Sequence, residues 1–374
     1  MADPTQSQHP PRLAVLASFS GSGGVERMLV NLISGFVAAG RRVDLLLIRD
    51  QGPHLASLPE EVERIPLGSQ HSLLAIPALA RYLRHRRPQA LLAAKDRAGR
   101  AAVLARALAG VNTRLVLRLG TNLSASLEGR SALRRFWRYW PIRQLYPRID
   151  RIIAVSAGVA MDTAAIAGLP RETIMVIRNP VITPDLTQRA AEPCPHPWFH
   201  DAGPPVLVGA GRLQRQKDFP TLIRAFARVR QTRPCRLVII GEGRERPALE
   251  ALIGQLGLTG QVDLPGFQAN PLPFLAHASL FVLSSAWEGS PNVLTEAMAL
   301  GTPVVATDCP SGPAELLDGG RIAPLVPVGD PEALARMVLA TLDQPTPAAR
   351  LKDAVADYDQ AYSARRYLAE LEAG

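Results

Sequence analysis

The chain of 374 residues reads as an α/β protein built from two similar Rossmann-like domains that face each other across a cleft. Three observations predict this. Short apolar runs suited to buried strands alternate with segments of helical periodicity, the pattern of a mostly parallel, doubly wound sheet. The alternation stops between Thr183 and Pro205 and then restarts. The length also exceeds what one compact core accommodates, which makes two domains the natural division.

The elements follow in order. "RLAVLASFS" is a buried strand running straight into "GSGGVERMLVNLISGFVAAG", where Met28, Leu29, Leu32, Ile33 and Phe36 recur at helical spacing and Gly40 ends the helix. "RRVDLLLIR" is the next strand. A helix over 71–86, a strand near "QALLAA", a helix over 97–109 and the strand "RLVLRLG" come after it. "DRIIAVSAGVAMDTAAIAG" is a strand, turn and helix, and "TIMVIRNPV" the strand that leaves it. The Pro-rich polar stretch "TPDLTQRAAEPCPHPWFHDAGPP" is an interdomain connection. Then come "PVLVGAG", a helix over 219–230, "CRLVIIGEG", a helix over 245–256, "VDLPGF", a helix over 271–277, "LFVLSS", a helix over 291–300 and "PVVATD". This second set is another Rossmann-like unit and not a short-period repeat. The expected division is an N-terminal domain over 1–183, a linker over 184–204, a C-terminal domain over 205–350, and a closing helical stretch over 351–374.

Composition narrows the function classes. No apolar run approaches the roughly 20 residues of a membrane span. The start, "MADPTQSQHPPRLAVLASFS", lacks a basic-then-apolar signal layout, so a cytoplasmic protein is expected. Cys194, Cys235 and Cys309 are odd in number and lack metal-ligand spacing, which suits buried thiols in a reducing compartment. The net charge of +9 favours an anionic partner: nucleic acid, an acidic lipid surface or a phosphorylated substrate. Of 42 cationic residues only Lys95, Lys217 and Lys352 are lysine, which gives each surviving lysine some interest.

Three segments hold candidate chemistry. In "GSGGVER", residues 21–27, glycines at a strand-to-helix turn let backbone N–H groups approach an anion. The spacing is not G-x-G-x-x-G, so a dinucleotide fingerprint is excluded. "GAGRLQRQKDFPTLIRAFA" places Arg212 and Lys217 in a loop after a strand, before a helix starting near Pro220, where an open α/β sheet binds ligands. A planar fork and a compact ammonium suit a diphosphate; Arg215 beside them reads as a solvated turn residue. "WEGSPNVLTEAMALGTPVVATDCPSGPAELL" carries Glu288 and Glu296. Eight residues apart on one helix they would sit about 80° off one another. Ser290 as N-cap and Pro291 in the first turn separate them instead. Glu288 then lies in the loop, Glu296 inside the helix, and the free N–H groups of Asn292 and Val293 point at an anion between them. One elongated ligand with hydroxyls at both ends and phosphates in the middle fits this layout.

"GRLQRQKDFPTLIRAFA", "EGSPNVLTEAMALGTPVVATDCPSGPAELL" and "GSGGVER" together resemble the retaining family-4 glycosyltransferases of the GT-B fold. The similarity is strongest over about 206–330 and weaker over 12–182. It implies that the second domain binds a nucleotide sugar. Arg212 and Lys217 would sit on the diphosphate, Glu288 on the donor sugar's hydroxyls and Glu296 on the ribose hydroxyls. Phe267 matches the region whose backbone holds the base, and Gly23 and Gly24 face the donor phosphates from across the cleft. The "TDCPSGPAE" variant resembles members that assemble bacterial surface polysaccharides from UDP-sugars. The resemblance also implies a C-terminal helix that crosses back to the first domain.

The chain departs from the family in one respect. Many relatives carry a histidine near the reacting sugar after a strand like "RLVLRLG", and here the segment is "RLGTNLSAS". Arg118, Thr121 and Asn122 are the acceptor-side candidates, while His54 and His71 read as surface loop residues. The Asp357-Tyr358-Asp359 triplet reads as a solvated helix turn, so neither a metal nor a cofactor is expected. Residues 130–151 pack seven arginines beside Phe136, Trp137, Tyr139, Trp140 and Tyr146. Such a helix either lies on an anionic membrane, binds single-stranded nucleic acid, or buries its aromatics between domains. The expected function is retaining transfer of a hexose or N-acetylhexosamine from a UDP-sugar to a glycan or lipid-linked hydroxyl at the inner membrane face. A UDP-sugar epimerase of the same fold and a basic nucleic-acid-binding protein are the alternatives.

Overall fold

The computed structural model describes residues 12–21, 23–200 and 203–373. The stretch before Arg12, read for the absence of a signal layout, lies outside these residues.

The first sheet has seven strands: β1 (Arg12–Ser20), β2 (Arg42–Gln51), β3 (Glu63–Pro66), β4 (Ala90–Ala93), β5 (Arg114–Leu119), β6 (Arg151–Ala154) and β7 (Ile174–Val176). Their spatial order is β3-β2-β1-β4-β5-β6-β7 and every pairing is parallel. The second sheet has β8 (Val206–Ala210), β9 (Arg236–Ile240), β10 (Val262–Asp263), β11 (Leu280–Leu283), β12 (Val304–Thr307) and β13 (Leu325–Val326), in the order β10-β9-β8-β11-β12-β13 and again parallel. Central strands such as β4 and β8 are buried along their whole length, which is why they read as continuous apolar runs without alternation.

Helices connect the first set: α1 (Gly24–Ala38), α2 (Ile76–Arg86), α3 (Asp96–Ala109), α4 (Leu123–Ser126), α5 (Ala132–Leu145) and α6 (Ala157–Ala167). After the short α7 (Leu186–Ala190), the second set has α8 (Phe219–Thr232), α9 (Arg246–Gln255), α10 (Leu272–His277), α11 (Asn292–Leu300), α12 (Pro313–Leu316) and α13 (Pro331–Asp343). The chain ends in α14 (Ala348–Asp353) and α15 (Gln360–Glu372).

Several expectations need correction. β3 is an edge strand of four largely exposed residues, so it leaves no apolar run to detect. The helix expected from 71 begins only at Ile76, because the His71 carbonyl accepts the amides of Leu74 and Ala75 in a turn. The connection over 183–205 contains α7, and Leu186, Ala190 and Cys194 are buried in the second domain's core.

The last helix returns to the first sheet. Tyr367, Leu368 and Leu371 are buried in one cluster with Leu13, Met28 and Phe36. Gly35 of α1 lets α15 approach, since a Cβ there would come within 2.7 Å of the Ala364 methyl. The two crossings between domains are tied together. The amides of Val181 and Ile182 donate to the Tyr358 carbonyl at 2.9 and 3.0 Å, and that of Gln360 to Ile182 at 2.9 Å. Asp359 caps α15 by accepting the Tyr362 amide at 2.8 Å and is therefore a built-in helix start, not a freely solvated turn. Among the described residues, no helix is long and apolar enough to cross a membrane.

Candidate functional site

In an open doubly wound sheet, ligands bind beyond the carboxyl ends of the strands where the strand order reverses. The first sheet reverses between β1 and β4, the second between β8 and β11. The loop after β1 is "GSGGVER", and Lys95 follows β4. Arg212 and Lys217 follow β8, and Glu288 follows β11. The two reversal points face each other, so four loops far apart in sequence meet at one cleft.

On the second-domain wall, Lys217 Nζ donates to Glu288 Oε1 at 2.6 Å, with both side chains largely buried. Ser285 Oγ donates to the same oxygen at 2.7 Å. Ser284 Oγ holds the Lys217 carbonyl at 2.8 Å and the Ala286 amide holds the Gln216 carbonyl at 2.8 Å, so the two loops are laced together. Gly211 makes room for this: its φ is 149°, and a Cβ would collide with Lys217 Cε at 2.6 Å. Lys217 sits in a 3-10 turn, Arg215–Lys217, and α8 starts at Phe219, as the expected helix over 219–230 does. Arg212 is exposed to the cleft. Beneath Glu288, burial and the carboxylate push the Cys309 thiol up to about 12.

The helix that separates the two glutamates starts one residue later than the sequence suggests. Pro291, at ψ 87°, is the N-cap of α11; Ser290 gives the first turn no side-chain cap. Leu294 and Thr295 amides both turn back on the Pro291 carbonyl, at 3.0 and 3.1 Å. Asn292 and Val293 thereby become the first two helical positions, whose amides have no acceptor inside the helix. Glu288 lies before the cap and Glu296 inside the helix, both buried.

Glu296 is not open to the cleft in this state. It forms an ion pair with Arg27 of α1, the last residue of the first glycine loop. Burial, with Arg189 nearby, lowers the Arg27 guanidinium to about 10, against the pull of Asp185. Other contacts cross the same gap. Asn292 Nδ2 donates to the Gly24 carbonyl at 3.3 Å, and Asn179 Nδ2 to Asn292 Oδ1 at 2.7 Å. Gly289 lies against the first domain so closely that a Cβ would come within 2.2 Å of the Gly120 carbonyl. Glu315 accepts the Ala157 and Gly158 amides at 2.9 and 2.8 Å, capping α6 from the other domain, and pairs with Arg178 at 2.8 Å.

The acceptor-side candidates separate. Thr121 and Arg118 line a cavity of about 460 Å³ in the first domain. Arg118 is buried, its Nη2 donating to Asn179 Oδ1 at 2.8 Å, and burial lowers its guanidinium. Asn122 is taken up elsewhere: its Oδ1 caps α4 at Ala125 N (2.9 Å) and its Nδ2 reaches Ser311 across the cleft at 2.9 Å. His71, expected as a plain surface residue, is exposed but lines the same cavity, while His54 lies in a 3-10 turn over Pro53–Ser57. Phe267 is 39% exposed, next to Gly266, whose carbonyl accepts the Gly241 amide at 2.9 Å. Gly23 donates its amide to Glu26 Oε2 at 3.1 Å at the start of α1.

Arg27, Asn179 and Glu315 were not anticipated. Each lies within or beside a quoted motif, but its role is a contact to the other domain, and no local pattern announces that. Lys95 had a signal, since it is one of the three lysines in an arginine-rich chain.

Comparisons with known proteins give a consistent result. A family model for glycosyltransferase family 4 matches residues 22–184, and one for glycosyl transferases group 1 matches 204–344. An uncharacterized glycosyltransferase of Methanocaldococcus jannaschii is 46% identical over 113 residues, 30% of this chain and 28% of that protein. The chain thus spans under a third of that relative's length. The N-acetylgalactosamine-N,N'-diacetylbacillosaminyl-diphospho-undecaprenol 4-alpha-N-acetylgalactosaminyltransferase of Campylobacter jejuni is 28% identical over 333 residues, 86% of this chain and 88% of that one. The crystal structure of Anabaena HepE with UDP and glucose matches with a TM-score of 0.77 and 22% identity over 97% of this chain and 100% of that chain, a likeness of fold.

Proposed function

The chain belongs to the GT-B glycosyltransferases, and from that premise we propose that it moves a hexose or N-acetylhexosamine from a UDP-sugar to a hydroxyl of a glycan or lipid-linked acceptor in surface-polysaccharide assembly. The observation that carries this reading is the Lys217–Glu288 pair beside Arg212, at the strand-order reversal and at the open end of α11. The new bond joins the acceptor oxygen to the sugar's anomeric carbon, and the bond to the β-phosphate breaks. Arg212, Lys217 and the Asn292 and Val293 amides neutralise charge growing on the departing diphosphate. In a retaining front-face course the leaving phosphate takes the acceptor proton. Glu288, already engaged by Lys217 and Ser285, positions the donor sugar and is not the base. Two cations and a helix end supply the neutralisation a divalent ion gives elsewhere, which supports transfer without a metal; activity surviving a chelator checks that point.

UDP-sugar hydrolysis without acceptor is expected to fall about 10²–10³-fold in Arg212→Ala and Lys217→Ala. Epimerised UDP-sugar, seen by NMR in the same assay, would overturn transfer.

Residues 130–151 supply a peripheral attachment to the inner membrane face. Leu133, Phe136, Trp137 and Trp140 are 67, 52, 64 and 49% exposed and recur at i, i+3, i+4 and i+7, one stripe of α5. Their exposure argues against burial between domains. Arg134 and Arg135 are exposed on the same helix, the composition of an interfacial helix on anionic lipid. Co-sedimentation with anionic liposomes, lost in a Trp137→Ala, Trp140→Ala double variant, is the expected result.

A further inference from the structure

The cavity of about 460 Å³ in the first domain lies at the carboxyl ends of β1, β2, β4 and β5 and reaches α5. Its wall includes Arg49, Lys95, Arg97, Arg118 and Arg138, against one acid, Asp96. Asp96 is already engaged: Arg100 at 3.1 Å, Arg138 at 2.8 Å and the Tyr146 hydroxyl at 3.0 Å all hold it. Arg49 is occupied in part, donating to the Gln70 carbonyl at 2.9 Å. Lys95 and Arg97 are exposed at the cavity, and their side chains make no hydrogen bond or close ion pair among the described residues. Arg118 is 2% exposed, with Nη2 on Asn179 and the Tyr367 hydroxyl beside its guanidinium, and no acid faces it. The cations are also close enough to act on one another. Burial lowers the Lys95 ammonium, Glu26 raises it, and Arg118 and Arg212 lower it further. Packing like charges around an open hollow is unfavourable unless a ligand neutralises them.

We propose that this cavity binds the acceptor through an anionic group, a phosphoryl group or a carboxylate, held by Lys95, Arg97 and Arg118. The proposal rests on the transferase reading and adds what the acceptor must carry. Lys95 stands at the carboxyl end of β4, on the opposite wall from Arg212, which places the anion beside the reaction centre. The apolar part of the wall, Val25, Leu123, Ile142 and Ile166 among it, accommodates the uncharged remainder. Helix α5 contributes Arg138 and Ile142 inward while its apolar stripe faces out. A lipid-linked anion could therefore enter from a membrane on which α5 rests.

The test is calorimetric titration of the UDP-saturated protein with inorganic pyrophosphate and, separately, glucuronate, with glucose as the neutral control. UDP occupies the cations of the donor wall, so a second anion reports on the first domain. Pyrophosphate binding supports a phosphoryl-bearing acceptor and glucuronate binding a carboxylate-bearing one. In Lys95→Gln and Arg97→Gln the binding is expected to weaken at least about tenfold, with UDP affinity and the unfolding midpoint unchanged. These are conservative exchanges of side chains without hydrogen-bond partners, so folding is retained. Failure of both probes to bind, or binding indifferent to both substitutions, overturns the proposal. A loss of UDP affinity in Lys95→Gln overturns it too, by assigning that residue to the donor. Failure of the wild type to bind UDP would count against the donor reading instead, and the Lys95 dependence of the probes is read either way.

Discussion

The two walls of the cleft are built on the same plan and filled in opposite ways. Each is the reversal point of a parallel sheet. On the second-domain wall the buried charges are matched, Lys217 on Glu288 with Ser285 completing the carboxylate, and Arg212 stands exposed beside them. On the first-domain wall the cations outnumber the acids, and the one acid in the cavity is already shared among two arginines and a tyrosine. A matched set suits a ligand that is always the same, since a fixed partner can be met by a fixed, preorganised arrangement. An unmatched set leaves its charge to be completed by whatever molecule arrives. On the proposed reading, the second-domain wall is preorganised for the donor and the first-domain wall selects an acceptor by charge.

The comparison can be broken most sharply at the matched pair. Glu288→Gln keeps the shape but removes the charge opposite Lys217, and kcat for sugar transfer is expected to fall about 10²–10³-fold. A variant with unchanged turnover would make the pair a structural tie only. Lys217→Ala leaves a buried carboxylate unpaired, so chemical denaturation should show about 3–5 kcal/mol less stability. The equivalent change on the other wall, Lys95→Gln, should cost much less stability, because the exposed Lys95 side chain makes no hydrogen bond or close ion pair among the described residues.

The contact between the walls gives the next largest effect. Gly289→Ala places a methyl within 2.2 Å of the Gly120 carbonyl, and the domains must separate to admit it. Small-angle scattering should show a larger radius of gyration, with donor KM raised about tenfold or more, given how steeply rate depends on placement at the level of 1 Å. An unchanged radius would show that the walls need not touch. Glu315→Ala removes the cross-domain cap of α6 and the partner of Arg178; about 1.5–3 kcal/mol of stability is expected to go with it.

The smallest effect concerns pH. Burial raises the thiols of Cys235 and Cys309 from an ordinary 9.0 to about 11 and about 12. The folded protein keeps these protons where the unfolded chain releases them. Their contribution to stability is thus complete below pH 9 and declines as pH climbs toward 11 to 12. Denaturation midpoints measured over that range should fall less steeply in Cys309→Ala. Both thiols should also resist alkylation in the native state at pH 8.

The residues themselves show which parts of this site could be read in advance. Lys217, Glu288 and Glu296 lie in short segments whose local order, strand, loop, proline and helix, states where each must stand. α11 starts one residue beyond the position its sequence suggests, because Ser290 and Pro291 both look like helix beginnings and only the backbone angles of Pro291 decide between them. β3 escaped because an exposed edge strand buries nothing. Asn122 shows a different limit. Its capping role is local, but its bond to Ser311 spans 189 positions, and no window of sequence contains both partners.

By itself the sequence determined the alternation of strands and helices, the break between two domains and the loops that hold the donor-wall residues. These follow from apolar periodicity and turn chemistry, which act over a few residues at a time. Tertiary structure decided what those residues meet: Arg27 on Glu296, Glu315 on the start of α6, Gly289 on Gly120, and five cations around one hollow. Each of these depends on how two separately folded sheets are set against each other. That arrangement is fixed by the returning helix α15 and the tie between Ile182 and Asp359, contacts between positions that no local pattern relates.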